Sequence, residues 1–512
     1  MNQAMNSRAL QVAVVGSGPS GFYLADALVK QSKKFFDKVH IDMLEKLPVP
    51  FGLVRYGVAP DHPEVKNVEK RFTELANSDQ ITWLGNLTLG KDLTLKHLTD
   101  NYDAVALAVG SPEPQLLNIP GEHLGYAHSA KSFVDWYNTS PDCFHYKDPP
   151  WKLEEIFNVV IIGNGNVSMD VARILLTKAE EFAATDMSAW ALQKLWKSAV
   201  KKVTVVGRRG PYQSAFTIKE FREMLKIPNV VTKVQPFPLV DIADSPRKRL
   251  LGLVHETALK SSSTEMTAGS KTFALEYGLR PVEIVHGGVV FEETQETSPG
   301  VWEGTKRHRE FPAQLVIVSA GQRGKAIPGV PFDEKQGLIP NDRGAVLGGP
   351  RHLYCSGWAK TGAKGVIATS LADANETAAT MLTRLAAESD LGESKPGKFG
   401  LAEIIAARKL EFVTFRNGWE RRINQTEKWK GQDLGKEREK IPDIATMLAV
   451  ATVGSIGYQS SCKFRGMSGV RAPGLEYLED FLDEKTVMLP GFARTDGIYG
   501  NQRKLPSTES QP

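Results

Sequence analysis

The chain has 512 residues, with 63 Lys and Arg against 59 Asp and Glu and a formal net charge of +4. That length suits about three domains, and so small a net charge gives no reason to expect nucleic acid as a partner. No apolar run approaches the ~18 residues of a membrane-spanning helix, and the three cysteines, Cys143, Cys355 and Cys462, form neither a C-x-x-C pair nor a four-cysteine cluster site.

Residues 12–15 are apolar and predict a short buried strand; Gly16, Gly18 and Gly21 follow at the G-x-G-x-x-G spacing, ahead of an apolar helix over 22–29. Each glycine has a physical task. Gly16 allows the tight turn out of the strand, Gly18 lets a pyrophosphate approach the backbone, and Gly21 lets the helix pack close to the strand. The helix start then faces the phosphates with its partial positive charge. A second apolar run, 40–44, ends in Glu45, an acid placed to accept ribose hydroxyls. Strand, glycine turn, helix and closing acid predict a dinucleotide site, read as that of FAD.

Residues 46–63 hold four prolines and two glycines, which exclude a regular helix. A long irregular segment inside a compact domain is often functional. Asp61 and His62 are its titratable pair, and from position alone His62 reads as a surface-loop histidine. A helix of mixed polarity is expected over 66–76 and a buried strand over 102–110. Pro112, Pro114 and Pro120 then break the chain, and a first crossing between domains is placed near Pro120.

Residues 158–170, NVVIIGNGNVSMD, repeat the motif: a strand over 159–162, Gly163 and Gly165, and a helix over 167–176, with Ser168 in place of the third glycine. The next strand, 203–206, ends in Gly207, Arg208 and Arg209 rather than in an acid. Two guanidiniums suit a 2′-phosphate through charge-assisted bonds, so this site is read as that of NADP(H). An extra helix is expected within 179–199, and another over 213–225 carrying Glu220 and Arg222. Residues 245–250 are a basic cluster, and 259–270 are polar. An antiparallel patch is expected around 289–293. The strand ending in Gly321 marks the return to the first domain. Residues 361–370 offer backbone amides ahead of a helix over 371–386, 427–440 are dense in charge, 447–457 are apolar, and 501–512 read as a tail.

Taken together, VVGSGPSGFY, LPVPFGLVRYGVAPDHPEVKNV, IPGE, GNGNVSMDVARILL, VGRRGPYQSAFTIKEFREM, PRKRL and CSGW followed by GVIATS resemble the adrenodoxin reductase family of ferredoxin–NADP reductases over residues 10–450. The resemblance implies an α/β fold of two Rossmann-like dinucleotide-binding domains, the NADP domain inserted into the FAD domain. Residues 1–119 and 321–455 would form the FAD domain, 120–320 the NADP domain, and 456–512 an extension without counterpart. FAD contacts are implied at Ser20, Glu45, Leu53, Leu89, Trp358, Gly365, Val366 and Ile367. NADP contacts are implied at Asn164, Gly165, Asn166, Val167, Arg208, Arg209, Glu220 and Gly365. The family's active-site His and Asp correspond to His62 and Asp170, which replaces the surface reading of His62.

The implied activity is electron transfer from NADPH through FAD to an iron–sulfur ferredoxin, with no metal site in the chain and no nucleophile. His62 would serve as a proton or hydrogen-bond group, and Asp170 and Glu220 would orient the nicotinamide. Ferredoxins are usually acidic, so Arg222, Arg247, Lys248 and Arg249 are the candidate partner contacts. Two departures stand out: Ser20 where relatives often have Ala, and Ser245 where they can carry Arg. A disulfide reductase built on the same two motifs would need a redox cysteine pair. The expected setting is reducing: the cytoplasm, or the mitochondrial matrix if the source is eukaryotic. The expected state is a monomer.

Overall fold

The computed structural model describes residues 6–143, 148–239, 246–261, 269–365, 367–388 and 392–452. Its first sheet has eight strands, and five of them form a parallel centre in the spatial order Leu353–Cys355, Ala104–Leu107, Asn6–Val15, Phe36–Leu44 and Ile81–Gly85. Val15, the last residue before the first glycine turn, pairs with Leu44 on one side and Leu107 on the other. The strand is buried on both faces. Val12 and Val14 join one apolar cluster with Phe22, Leu24 and Met381, while Ala13 and Val15 join another with Leu84, Leu107 and Leu401. Burial on both faces is why the run is continuously apolar rather than alternating.

The second sheet is parallel throughout, in the order Ala127–Ser129, Leu315–Val318, Asn158–Ile162, Lys202–Val206, Lys271–Glu276 and Val230–Val234. The second motif strand thus lies at its centre, as the first does in its own sheet. Beside it stands a three-stranded antiparallel sheet, Leu279–Val285, Gly288–Ser298 and Val301–Pro312, which contains the patch expected around 289–293. Between the two large sheets the chain passes twice, and the passages pair as a short antiparallel ribbon, Glu113–Pro114 with Gln322–Arg323.

Several element bounds differ from expectation, each for a local reason. The helix expected over 213–225 begins only at Ile218, because Thr217 caps it by accepting from the Glu220 amide; Pro211–Gln213 is a separate 3-10 turn. The helix expected over 66–76 is Val68–Ala76, preceded by a single turn, Pro63–Lys66. The segment 46–63 does contain one helical turn, Leu53–Tyr56, fitted between its prolines. Only Ala104–Leu107 of 102–110 is strand. Within 179–199 there are two pieces, a 3-10 turn Ala179–Phe182 and a helix Ala189–Trp196. The helix expected from 371 starts four residues earlier and spans Ile367–Ala386. The basic cluster opens the helix Pro246–Ser261, Ser245 lies outside the described residues, and residues 447–452 of the apolar run 447–457 belong to the helix Ile444–Thr452, the rest of the run lying outside the described residues. The extension 456–512 also lies outside the described residues.

The charge-dense stretch 427–440 folds back onto both halves of the molecule. Glu427 is fully buried; it accepts from Arg55 Nη2 at 2.5 Å, from Arg438 Nη1 at 3.2 Å and from the Ile441 amide at 2.9 Å. Burial alone would raise its carboxyl, but Arg55 and Arg438 outweigh that and hold it below the usual range. Arg55 in turn lies over the Trp419 ring at 4.9 Å. Nearby, Asp186 takes Lys66 at 2.6 Å and Lys440 at 2.9 Å, and the Glu437 amide donates to the Ala184 carbonyl at 3.1 Å. Removing one member of a buried, hydrogen-bonded ion group leaves the others uncompensated. Glu427→Ala should therefore cost about 3–5 kcal/mol of unfolding free energy in urea, while Glu427→Leu combined with Arg55→Met should recover most of it. A loss below about 1 kcal/mol, the range of exposed pairs, would contradict the buried network.

Candidate functional site

The two glycine motifs build two similar cradles. Gly16 has φ +104° and Gly163 φ +118°, and a Cβ on either would run into a backbone carbonyl, that of Ala108 and that of Ser319 respectively. Gly21 packs so close to the Gly16 carbonyl that no side chain fits there. In the second motif the corresponding residue is Ser168; it is fully buried, and its hydroxyl has no partner among the described residues. Gly18 and Gly165 are different, because a Cβ on either meets no protein atom within 4 Å. Packing therefore makes no demand for glycine at these two positions; the demand comes from whatever approaches the open face.

Those same two glycines are the N-caps of the motif helices, Pro19–Ser32 and Asn166–Leu176, and neither helix has a side-chain cap. Thr94, Ser129, Ser188 and Thr217, by contrast, close neighbouring helices with their hydroxyls. An uncapped helix start behind an open glycine leaves backbone amides facing the space a phosphate would fill. The residues present therefore fit two dinucleotides.

Around the first cradle, Glu45 is buried and holds the turn in shape, accepting from the Ser17 amide at 2.9 Å, the Ser17 hydroxyl at 2.8 Å and the Leu47 amide at 3.2 Å. Gly52 comes within 3.1 Å of the Gly18 Cα, measured from the Cβ it lacks, so the half-buried Leu53 follows directly beside the cradle. Ser20 lies directly under Gly357, which delivers Trp358 into the turn Trp358–Thr361. Trp358 donates from its indole to the Lys364 carbonyl at 3.0 Å, just before Gly365. Asp373 on the helix Ile367–Ala386 pins this turn, accepting from the Gly357 amide at 2.6 Å and pairing with Lys360 at 2.8 Å. Leu89 is half-buried, Gly365 is exposed, Ile367 begins the helix, and Val366 lies outside the described residues.

At the second cradle, Gly207 lies against the Asn164 side chain, so the arginine turn adjoins the glycine turn. Asn166 accepts from the Thr217 amide at 2.9 Å, and Val167 is exposed in the first turn of its helix. Arg208 and Arg209 are both exposed at the strand end and carry no ion pair among the described residues. Arg222 is exposed on Ile218–Leu225. Arg247, Lys248 and Arg249 stand in the first turn of Pro246–Ser261, with Arg247 donating to the Ser214 carbonyl at 2.5 Å.

At the joint between the two halves lies a charged cluster. His62 is buried, not a surface-loop residue, and its Nε2 is 2.9 Å from Glu223 Oε2. Arg173 forks onto Asp61 at 2.7 and 3.0 Å, and lies 2.8 Å from Asp170, 3.4 Å from Glu220 and 3.5 Å from Glu223. His62, Glu220 and Glu223 offer atoms within 4.8 Å of one another; the guanidinium already at both carboxylates supplies the positive charge a metal would otherwise bring. His62 and Asp170, paired by the sequence reading, thus meet through Arg173 and Glu223. Sequence reading missed both of these; the only signal was their helical spacing of three residues from Asp170 and Glu220.

Four acids share one arginine, and the surplus is relieved by protons. Burial raises Asp170 to about 6, with Asp61 and Glu223 adding to it against Arg173. Burial and then Asp170 raise Glu220 to about 7. Asp61 goes the other way: burial would raise it, but the Arg173 fork holds it below its ordinary value. Cys143 and Cys355 are buried, each pushed up to about 12 by burial, and so are unsuited to thiolate chemistry.

Three comparisons say what the chain is similar to. The family model for pyridine nucleotide-disulphide oxidoreductases matches residues 10–226. Bos taurus mitochondrial NADPH:adrenodoxin oxidoreductase is 40% identical over 461 residues, 86% of this chain and 91% of that protein. NADPH-ferredoxin reductase FprA of Mycobacterium leprae is 36% identical over 461 residues, 86% of this chain and 98% of that protein. The solved structure of Mycobacterium tuberculosis FprA in complex with NADPH superposes with a TM-score of 0.79 at 35% identity, covering 87% of this chain and all of that one.

Because Asp170 and Glu220 are raised in the fold, the native state retains protons that the unfolded chain has lost between about pH 4 and 7. Their contribution to stability is full below about pH 4 and is lost as pH rises to about 7. Glu220→Gln should therefore be more stable than the parent at pH 8 and show a flatter profile from pH 5 to 8 in urea unfolding. Parallel profiles for the two proteins would contradict the raised carboxyl.

Proposed function

The chain belongs to the family of the NADPH:adrenodoxin and NADPH-ferredoxin reductases, and from that membership we propose that it carries electrons from NADPH, through FAD, to an acidic iron–sulfur ferredoxin. The observation that carries the proposal is the pair of open, uncapped glycine cradles, one closed by Glu45 and the other by Arg208 and Arg209. Bound FAD would supply the conversion between the two-electron chemistry of the nicotinamide and the one-electron chemistry of the partner.

The chain's own part is binding, orientation and proton handling. We assign the FAD site to Gly16, Gly18, Ser20, Gly21, Glu45, Leu53, Leu89, Trp358 and Gly365–Ile367. The NADP(H) site is Gly163–Val167, Arg208, Arg209, Glu220 and Gly365. His62 and Asp170 stand at the joint between the two halves: His62 offers Glu223 a ring N–H or a lone pair according to its tautomer. Segments 1–119 and 321–455 act as the FAD domain and 120–320 as the NADP domain. The basic residues Arg222, Arg247, Lys248 and Arg249 form the partner face, and the chain works as a monomer in a reducing compartment. The eukaryotic relative is mitochondrial by name, so a eukaryotic source would place this chain in the matrix and a bacterial one in the cytoplasm. Disulfide reduction is disfavoured because the two described cysteines are free and neither is readily ionised.

Two measurements test this reading. NADPH presents a phosphate where NADH has a hydroxyl, and each charge-assisted bond to it contributes on the order of 1.5–3 kcal/mol. Wild-type protein should therefore prefer NADPH by roughly two to three decades in kcat/KM, and Arg208→Ala with Arg209→Ala should lose most of that preference while kcat at saturating NADPH changes less. A double variant that keeps the preference rejects the arginine pair as the phosphate reader. Secondly, raising salt should slow ferredoxin-coupled cytochrome c reduction far more than reduction of a small dye, because only the former needs protein–protein attraction. Equal salt sensitivity would argue against the basic face.

A further inference from the structure

Arg173 is not among the residues the nucleotide motifs call for, yet it is the most heavily engaged side chain between the cradles. It leaves the helix Asn166–Leu176 one turn beyond Asp170, and its side chain is 5% exposed. Its three guanidinium nitrogens meet carboxylates from three separate elements. Nε and Nη2 fork onto Asp61, on the loop that also carries His62. Nη2 reaches Asp170 on its own helix. Nη1 faces Glu220 and Glu223 on Ile218–Leu225. Of Arg173's contacts, the one to Asp61 crosses between the two halves of the site, because the 61–62 loop belongs with the first sheet and the helix with the second. Lys can serve one carboxylate as a point charge, but it cannot reproduce a planar two-bond fork.

Other charged groups around the cluster are few. Lys219 lies 3.8 Å from Glu223 but is closer to Glu64, at 2.7 Å, and half-exposed. Tyr137, from the helix Ala130–Tyr137, is buried with its hydroxyl unpartnered among the described residues, and burial and Asp170 keep it in the neutral form. His62 is committed to Glu223. Among the described residues, Arg173 is therefore the one cation that reaches all four of Asp61, Asp170, Glu220 and Glu223, Lys219 touching Glu223 alone of the four.

We propose that Arg173 is a positioning residue with two separable duties: its fork onto Asp61 keeps the His62 loop in register with the nucleotide helix, and its charge limits how many protons the acid cluster holds. This deepens the reading above and rests on it for the first duty only. The second duty is a property of the chain alone. Electrostatics fixes the direction of the charge effect: removing a cation from beside carboxylates favours their neutral form, so their titration moves up in pH.

The test compares wild-type holoenzyme with Arg173→Lys and Arg173→Met. The first readout is urea-unfolding stability against pH. In wild type the cluster's contribution is lost by about pH 7; R173M should move the upper end of that window up by roughly one pH unit or more, and R173K should leave it nearly in place. The second readout is the stopped-flow rate of flavin reduction by NADPH alone. Both variants should fall roughly tenfold or more with little change in the NADPH concentration giving half-maximal rate, because misplacement by about an ångström costs rate rather than binding. R173M with an unshifted window overturns the charge duty. R173K with the wild-type rate overturns the register duty. If R173M does not retain flavin, R173K against wild type still decides the register, and a Glu220→Gln background restores R173M by removing one uncompensated acid. Wild-type protein that NADPH does not reduce would sink the proposed function instead, and the stability readout would still judge the charge duty.

Discussion

The Gly16 carbonyl fills the space where a side chain at position 21 would stand, and the first half of the molecule is arranged around that contact. It brings the helix Pro19–Ser32 down onto the central strand and points the helix start, closed by no side chain, at the open face of Gly18. Glu45 then stitches the turn from the neighbouring strand through the Ser17 amide and hydroxyl. The second half repeats the plan with one change, a buried Ser168 standing where the first motif has Gly21. The two cradles are thus built alike, and what distinguishes them is chemistry at the end of the following strand: a carboxylate in one, two guanidiniums in the other.

Among the described residues, no buried apolar cluster runs from the first sheet to the second. The clusters around Phe22 and Met381 and around Leu107 and Leu401 belong to the first sheet; those around Phe133 and Phe273 and around Ile162 and Phe291 belong to the second. What crosses between them is charge: Asp61 with Arg173, His62 with Glu223, Lys66 and Lys440 with Asp186. Polar interfaces of this kind are usual between domains of one chain. Here the interface has a further consequence, because the acids that hold the halves together are crowded around one arginine. Burial and crowding at the joint give Asp170 and Glu220 carboxyls that titrate close to neutrality, where a group is best suited to exchange protons.

The sequence by itself determined the two cradles. Their strands, turns and helices follow from sterics acting over about ten residues: an apolar run, a glycine that must take positive φ, a helix start left without a hydroxyl cap. Element existence was legible for the same reason. Bounds such as the start of Ile218–Leu225 were less so, because a cap at Thr217 competes locally with the apolar periodicity upstream. The position of Arg208 and Arg209 beside the second glycine turn was legible, because a strand end fixes where the next two residues go. The charged joint was not. Asp61, Asp170, Arg173, Glu220 and Glu223 lie on three stretches of chain more than a hundred and fifty positions apart at the extremes, and nothing in their neighbours says which acid receives the arginine. Only the tertiary structure decided that, because pairing and proton affinity depend on burial, and burial is supplied by parts of the chain that sequence distance cannot bring together.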